Sequence, residues 1–143
     1  VSSCGRTTLA RVRKLLPLVT DALLVVVFCA IGRRSHDEAV LAGLLRTLWP
    51  FATGLAAGWL IAASGRWRRG ADEARFDGTA LWPTGVVVWI GTLVGGMLLR
   101  VVSGQGTAVS FVLVAGTVLA LFLLGWRAAF GALRSRFRGR QRL

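Results

Sequence analysis

Four stretches of this 143-residue chain, 15–31, 40–63, 81–99 and 108–126, are long, apolar and almost free of charge. A bilayer core about 30 Å thick takes roughly 20 helical residues to cross, and each block approaches that length. A soluble helix would confine its apolar residues to one stripe. Here they fill whole blocks, and the mean hydropathy is +0.64. The predicted fold is an all-α integral membrane four-helix bundle. It comprises a basic N-terminal segment (1–14), a four-span membrane domain (15–127) and a basic tail (128–143).

The formal charge of +12 would suggest a nucleic-acid partner in a soluble protein. In this chain the basic residues flank the apolar blocks instead, so no nucleic-acid partner is expected. Arg6, Arg11, Arg13 and Lys14 precede the first block, Arg66, Arg68, Arg69 and Arg75 lie between the second and third, and a basic run follows from Arg127 to Arg142. Arg33, Arg34 and Arg100 hold the alternate side. The excess of Lys and Arg on one side predicts that both termini are cytoplasmic. Cys4 and Cys29 should then sit on opposite sides of the membrane and cannot bridge within one chain. Neither has companions at metal-ligand spacing, so no metal and no cofactor is expected.

The first two blocks form a hairpin with one charge in each, Asp21 and Arg46. The two lie equally far from a midpoint between Arg33 and Arg34, so antiparallel helices of equal rise would bring them to one depth. An isolated charge at a helix centre costs about 2.5–3.5 kcal/mol, and pairing would offset it. The expectation is an Asp21–Arg46 intramembrane ion pair, either locking the two spans or forming a polar site extended by Thr47, Thr92, Ser110 and Thr117. In the connector, Gly32 can stop the first helix, and Ser35 with Glu38 has capping-box spacing. His36 is the only histidine; without a second ligand set it reads as an interfacial residue more readily than as a base or metal ligand. Arg33, Arg34, His36 and Arg100 make a candidate outer-face polar cluster.

Pro50 cannot donate to the carbonyl of Arg46, so a loosened turn is expected there. Gly43, Thr47, Pro50, Gly54 and Gly58 share one narrow face, and Gly91 and Gly95 repeat the small-residue spacing in the third block. These glycines are candidate helix-packing positions. Trp59, Trp67, Trp82 and Trp126 fall where an aromatic belt is expected at the cytoplasmic boundary. The pairs Gly58-Trp59 and Gly125-Trp126 match under a shift that also aligns Arg33 with Arg100, but little else matches, so a duplication is not established. Pro17 and Pro83 suit first helical turns. The basic tail is expected to contact anionic lipid headgroups.

A catalytic reading finds little to use: one histidine, no tyrosine, no carboxylate pair in an apolar block and no nucleophile beside a base. No enzymatic activity is expected. The series Asp21…Phe28-Cys-Ala-Ile-Gly-Arg33-Arg-Ser-His36, Arg46-Thr-Leu-Trp-Pro50-Phe and Gly58-Trp59 resembles a small bacterial family, the domain of unknown function 3054. So do Pro83, Trp89, Thr92, Gly96-Met-Leu-Leu-Arg100, Gly106-Thr-Ala-Val-Ser110-Phe and Gly125-Trp-Arg127. The resemblance implies a multi-pass protein of the bacterial inner membrane with four spans, and no activity. More loosely, the chain resembles small multidrug exporters, which also have four short spans and a carboxylate in the first. It lacks their tyrosine and offers its carboxylate an arginine. The expected function is that of a structural or accessory membrane component that can form a homo-oligomer through its glycine faces, with a small-solute transporter acting as a homodimer as the alternative.

Overall fold

A computed structural model of the protein describes residues 2–32, 40–64 and 77–142. The elements are α1 (Ser2–Gly32), α2 (Val40–Ala63), α3 (Val86–Val102), α4 (Val109–Leu123) and α5 (Gly125–Arg140). A wide helical turn over Leu81–Gly85 leads into α3. Four helical stretches are long and apolar enough to cross a membrane, the last of them Val109–Arg140, in which α5 continues α4. The architecture is an all-α membrane bundle.

Helix boundaries depart from the sequence reading at both ends of the chain. The basic N-terminal segment, set apart from the first span in the sequence reading, is continuous with it: α1 begins at Ser2 and runs to Gly32. Pro17 therefore lies well inside a helix rather than in its first turn, and it is buried. The basic tail is α5, a further helix of 16 residues with every position from Ala128 to Arg140 exposed. Pro83 belongs to the wide turn before α3, not to the first turn of α3 itself. The Ser35–Glu38 capping box, Arg33, Arg34, His36, Trp67 and connector positions 65–76 lie outside the described residues.

The closest packing is between α2 and α3, and glycine makes it possible. A Cβ built on Gly54 would stand 2.8 Å from the backbone nitrogen of Gly96, and one on Gly91 would stand 2.6 Å from the Cα of Gly58. A Cβ on Gly95 would meet the Cα of Gly54 at 2.8 Å. Lipid tails are as apolar as leucine, so spans associate by close van der Waals contact rather than by a hydrophobic drive. The interface leaves no room for a side chain at these positions. Phe51 occupies the notch over Gly96, where a Cβ would lie 2.6 Å from its ring.

Around that interface sit Val25, Phe28, Leu55, Val88, Ala115, Leu119 and Leu123, all buried. Phe28 meets Phe51 edge to face at 5.3 Å between ring centroids. Large apolar side chains such as Leu23, Leu60, Leu98, Leu113 and Leu121 point outward. Threonine hydroxyls within the spans donate to their own helices: Thr47 to the carbonyl of Gly43, Thr92 to Val88 and Thr117 to Leu113. In a medium without water each polar group needs such an internal partner.

Substituting Gly58 by Val should force α2 and α3 apart. Overpacking of this kind costs about 1–3 kcal/mol. The thermal midpoint of the detergent-solubilised protein should fall, whereas Gly131→Ala, with nothing within 4 Å of the new Cβ, should leave it in place. Equal midpoints for the two variants would contradict the close approach.

Candidate functional site

The polar centre of the bundle is built on Asp21, which α1 presents inward with no exposed surface. Its partner is Arg127 from the first turn of α5, also wholly buried in its side chain. The guanidinium grips the carboxylate as a fork: Nη1 donates to Oδ1 at 2.8 Å and Nη2 to Oδ2 at 2.7 Å. Two indoles complete the carboxylate's shell. Trp59 on α2 donates to Oδ2 at 2.9 Å and Trp126 to Oδ1 at 2.8 Å. Each oxygen thus accepts from one indole and one guanidinium nitrogen.

Arg127 is held just as fully. Its Nε donates to the carbonyl of Gly78 at 3.1 Å, and Nη1 also donates to the carbonyl of Leu123 at 2.8 Å. The guanidinium carbon lies 4.7 Å from the centroid of the Trp126 ring. Two glycines make room for these contacts. A Cβ on Gly85 would come within 2.9 Å of Arg127 Cδ, and one on Gly78 within 2.8 Å of the Trp59 ring and 3.1 Å of Pro17. The segment Asp77–Ala80 is fixed in turn, because Thr84 donates to the carbonyl of Asp77 and the Asp77 carboxylate accepts from the backbone and hydroxyl of Thr79. The clasp therefore joins α1, α2, the turn before α3, and the α4–α5 junction.

This corrects the expected Asp21–Arg46 pair. Arg46 is exposed on α2, and the four donors to Asp21 come from other residues. The physical reason is register. Equal rise from the connector's midpoint was assumed, but Asp21 faces Trp59, Phe28 faces Phe51, and Gly32 shares a cavity wall with Thr47. The start of α2 thus overhangs the end of α1 by about two turns, and Arg46 is level with the last residues of α1. Trp59 and Trp126 are likewise not lipid-facing belt residues but inward donors, while Trp82 is 72% exposed.

The remaining candidates do not converge on one polar site. Thr92 is buried against α2, and Thr117 is exposed on an apolar groove between α3 and α4. Thr47 and Ser110 line a cavity at the far end of the bundle with Arg100, the one described member of the proposed outer cluster. Gly54, Gly58, Gly91 and Gly95 stand at the α2–α3 contact, and Gly43 is buried nearer the start of α2. Among the described residues no group of histidine, cysteine and carboxylate side chains could hold a metal ion.

Sequence reasoning missed Arg127, Trp126 and Trp59 as partners of Asp21, because their positions by span boundary suggested a topology charge and a belt. One signal did point to them. The matched pairs Gly58-Trp59 and Gly125-Trp126 contribute the two indoles that bind one carboxylate.

Removing either half of the clasp should be costly, because the other charge is left buried and unpaired; such losses run to about 3–5 kcal/mol. Asp21→Ala and Arg127→Ala should each sharply lower the yield of monodisperse protein, and the double variant should recover part of it. Arg46→Ala should match the parent. Strictly additive losses for Asp21 and Arg127 would rule out their coupling.

Residues 18–130 match the model of a family described as "Protein of unknown function (DUF3054)". Searches of the curated proteins and of the solved structures each found no match. The matched range contains Asp21, Trp59, Gly78, Trp126 and Arg127, so every member of the clasp lies inside it. The chain is a multi-pass membrane protein and belongs to the DUF3054 family.

Proposed function

We propose that the protein is a structural or accessory component of the bacterial inner membrane, acting without a catalytic step and without proton-coupled exchange at Asp21. The observation that carries this reading is the saturation of the carboxylate: four donors occupy its two oxygens in a site with no exposed surface. A carboxylate that trades protons for a solute must meet each in turn, and this one is engaged on every side by groups that fix the fold. The loose likeness to multidrug exporters therefore does not extend to their carboxylate chemistry.

In the proposed orientation both termini are cytoplasmic. The clasp gathers the base of α5, the end of α2 and the turn before α3 at one end of the bundle. The basic first turns of α1 and the arginines of α5 extend from that end. Its cations would attract anionic headgroups of the adjoining leaflet, with about 1 kcal/mol per residue near the surface. Arginine side chains on a helix lean toward its N-terminus, so those of α5 lean back toward the membrane. Arg134 does so, lying 5.9 Å over the ring of Phe130 one turn earlier.

Two measurements test the proposal. Vesicles carrying equal folded amounts of parent and Asp21→Asn protein should show the same solute flux under an imposed pH gradient; a flux lost only in the variant would overturn the accessory reading. In a background with Cys4 and Cys29 replaced by serine, a cysteine at Ser135 should react with an impermeant maleimide from the cytoplasmic side, and one at Gln105 from the other. The reverse pattern would invert the orientation.

A further inference from the structure

Between α3 and the continuous helical stretch of α4 and α5 lies an outward-facing groove of about 770 Å³. Trp89 and Leu93 form one wall, and Leu113, Thr117, Leu121 and Ala128 form the other. Its two polar side chains are already engaged. The Trp89 indole donates to the carbonyl of Gly116 at 3.1 Å, and the Thr117 hydroxyl to that of Leu113 at 2.8 Å. An occupant that brings only hydrocarbon therefore leaves no polar group unpaired. At 1.5 Å per residue the wall from Leu113 to Ala128 runs about 22 Å. One leaflet contributes half of a hydrocarbon core about 30 Å thick, so an acyl chain can lie along it.

The helix does not stop where the groove does. Leu124 keeps a right-handed helical backbone at φ −88° and ψ −35°, and the amides of Leu124 and Ala128 donate to the carbonyls of Ala120 and Leu124, each at 2.9 Å. The face that carries Leu113, Thr117, Leu121, Leu124 and Ala128 thus continues by steps of three and four residues to Gly131, Ser135 and Arg138. Arg142 follows one turn later, and it lines a hollow with Arg138, Gly139 and Gln141. Side chains on a helix tilt toward its N-terminus, which here is toward the groove. No Asp or Glu follows Asp77 in the sequence, and among the described residues neither arginine has an ion pair or a side-chain hydrogen bond. These cations suit an anionic occupant. A second copy of the chain fits badly, because pairing on this face would bring two runs of arginine together with no acid between them.

We propose that the groove seats one acyl chain of an anionic phospholipid whose phosphate is held at Ser135, Arg138 and Arg142. The seated lipid deepens the headgroup attraction proposed above and rests on it. A field spread over the basic end becomes one lipid with a fixed place, its chain and its charge read by one face of one helix. Arg136 and Arg140 lie on the far side of α5, so they add to the field without reaching the site.

The full chain in neutral detergent is titrated with dipalmitoyl phosphatidylglycerol and, separately, with dipalmitoyl phosphatidylcholine, and bound lipids are counted by native mass spectrometry. The first phosphatidylglycerol should bind about tenfold tighter than the second, and tighter than phosphatidylcholine by a similar factor, as charge-assisted contacts imply. Thr117→Trp, at an exposed position on the groove wall, should remove that first site by filling it; Leu121→Trp serves if it fails to fold. Arg138→Gln with Arg142→Gln should weaken the first site about tenfold. Arg136→Gln with Arg140→Gln, an equal loss of charge, should leave it in place. Equal losses in the two double variants, or a first site untouched by filling the groove, would reduce the interaction to diffuse attraction and overturn the seated lipid alone. Equal affinity for the two lipids would overturn the headgroup attraction as well. A dimer that Thr117→Trp dissociates would assign the groove to a second copy and overturn the lipid site.

Discussion

A carboxylate and a guanidinium that meet inside an apolar bundle constrain every helix that carries them. Asp21 and Arg127 stand 106 positions apart in sequence and 2.7 Å apart in space. A buried ion pair is weak support for stability by itself, because desolvation of the charges offsets their attraction. Its force lies in what it forbids. Any packing of α1 against the α4–α5 junction that slips by a turn leaves two charges without partners in a medium that cannot solvate them. The indoles of Trp59 and Trp126 add the same penalty for displacement of α2 and for rotation of α5. The clasp thus selects one arrangement among the many that interchangeable apolar surfaces would allow.

That selection complements the glycine contact between α2 and α3, which works by shape. Backbones that approach this closely gain contact along their length, but shape complementarity says little about where a third and a fourth helix belong. The clasp supplies the missing information at one end, where Gly78 and Gly85 make room for Trp59 and the stem of Arg127. Further along, the Trp89 indole donates to the carbonyl of Gly116 at 3.1 Å, tying α3 to α4. Directional hydrogen bonds therefore place the helices that the glycine interface leaves unspecified.

The spans were legible in the sequence because hydrocarbon thickness imposes a length that apolar blocks either reach or miss. The glycine spacing on α2 and α3 was legible for a similar reason, since small residues recurring every four positions share one helix face. The partner of Asp21 was not. Pairing it with Arg46 required only the arithmetic of a hairpin, but the stagger between antiparallel helices is set by side-chain packing across their interface. Phe28 against Phe51 fixes that stagger, and no feature of the connector reveals it. Arg127 was hidden for another reason: at the edge of an apolar block an arginine satisfies the topology rule as well as it satisfies a buried carboxylate. The repeated glycine–tryptophan pair, whose two indoles bind the same carboxylate, was the one local signal of the site.

The two ends of the bundle now have opposite characters. At one end, positive and negative groups are matched and buried among indoles, with no exposed surface on Asp21 and 1% on Arg127. At the other, Thr47, Arg100 and Ser110 line a cavity together with Phe28, Phe111 and Ala115. Between them lies a continuous packing of Val25, Phe28, Phe51, Leu55 and Leu119. A translocating site needs a polar route that reaches both sides of the membrane by turns, and such a core would have to open at Phe51, which has no exposed surface and is lodged against Gly96. Lodged in this way, the core supports the proposal of a bundle held in one register, with the clasp setting its depth and the glycine contact its closeness.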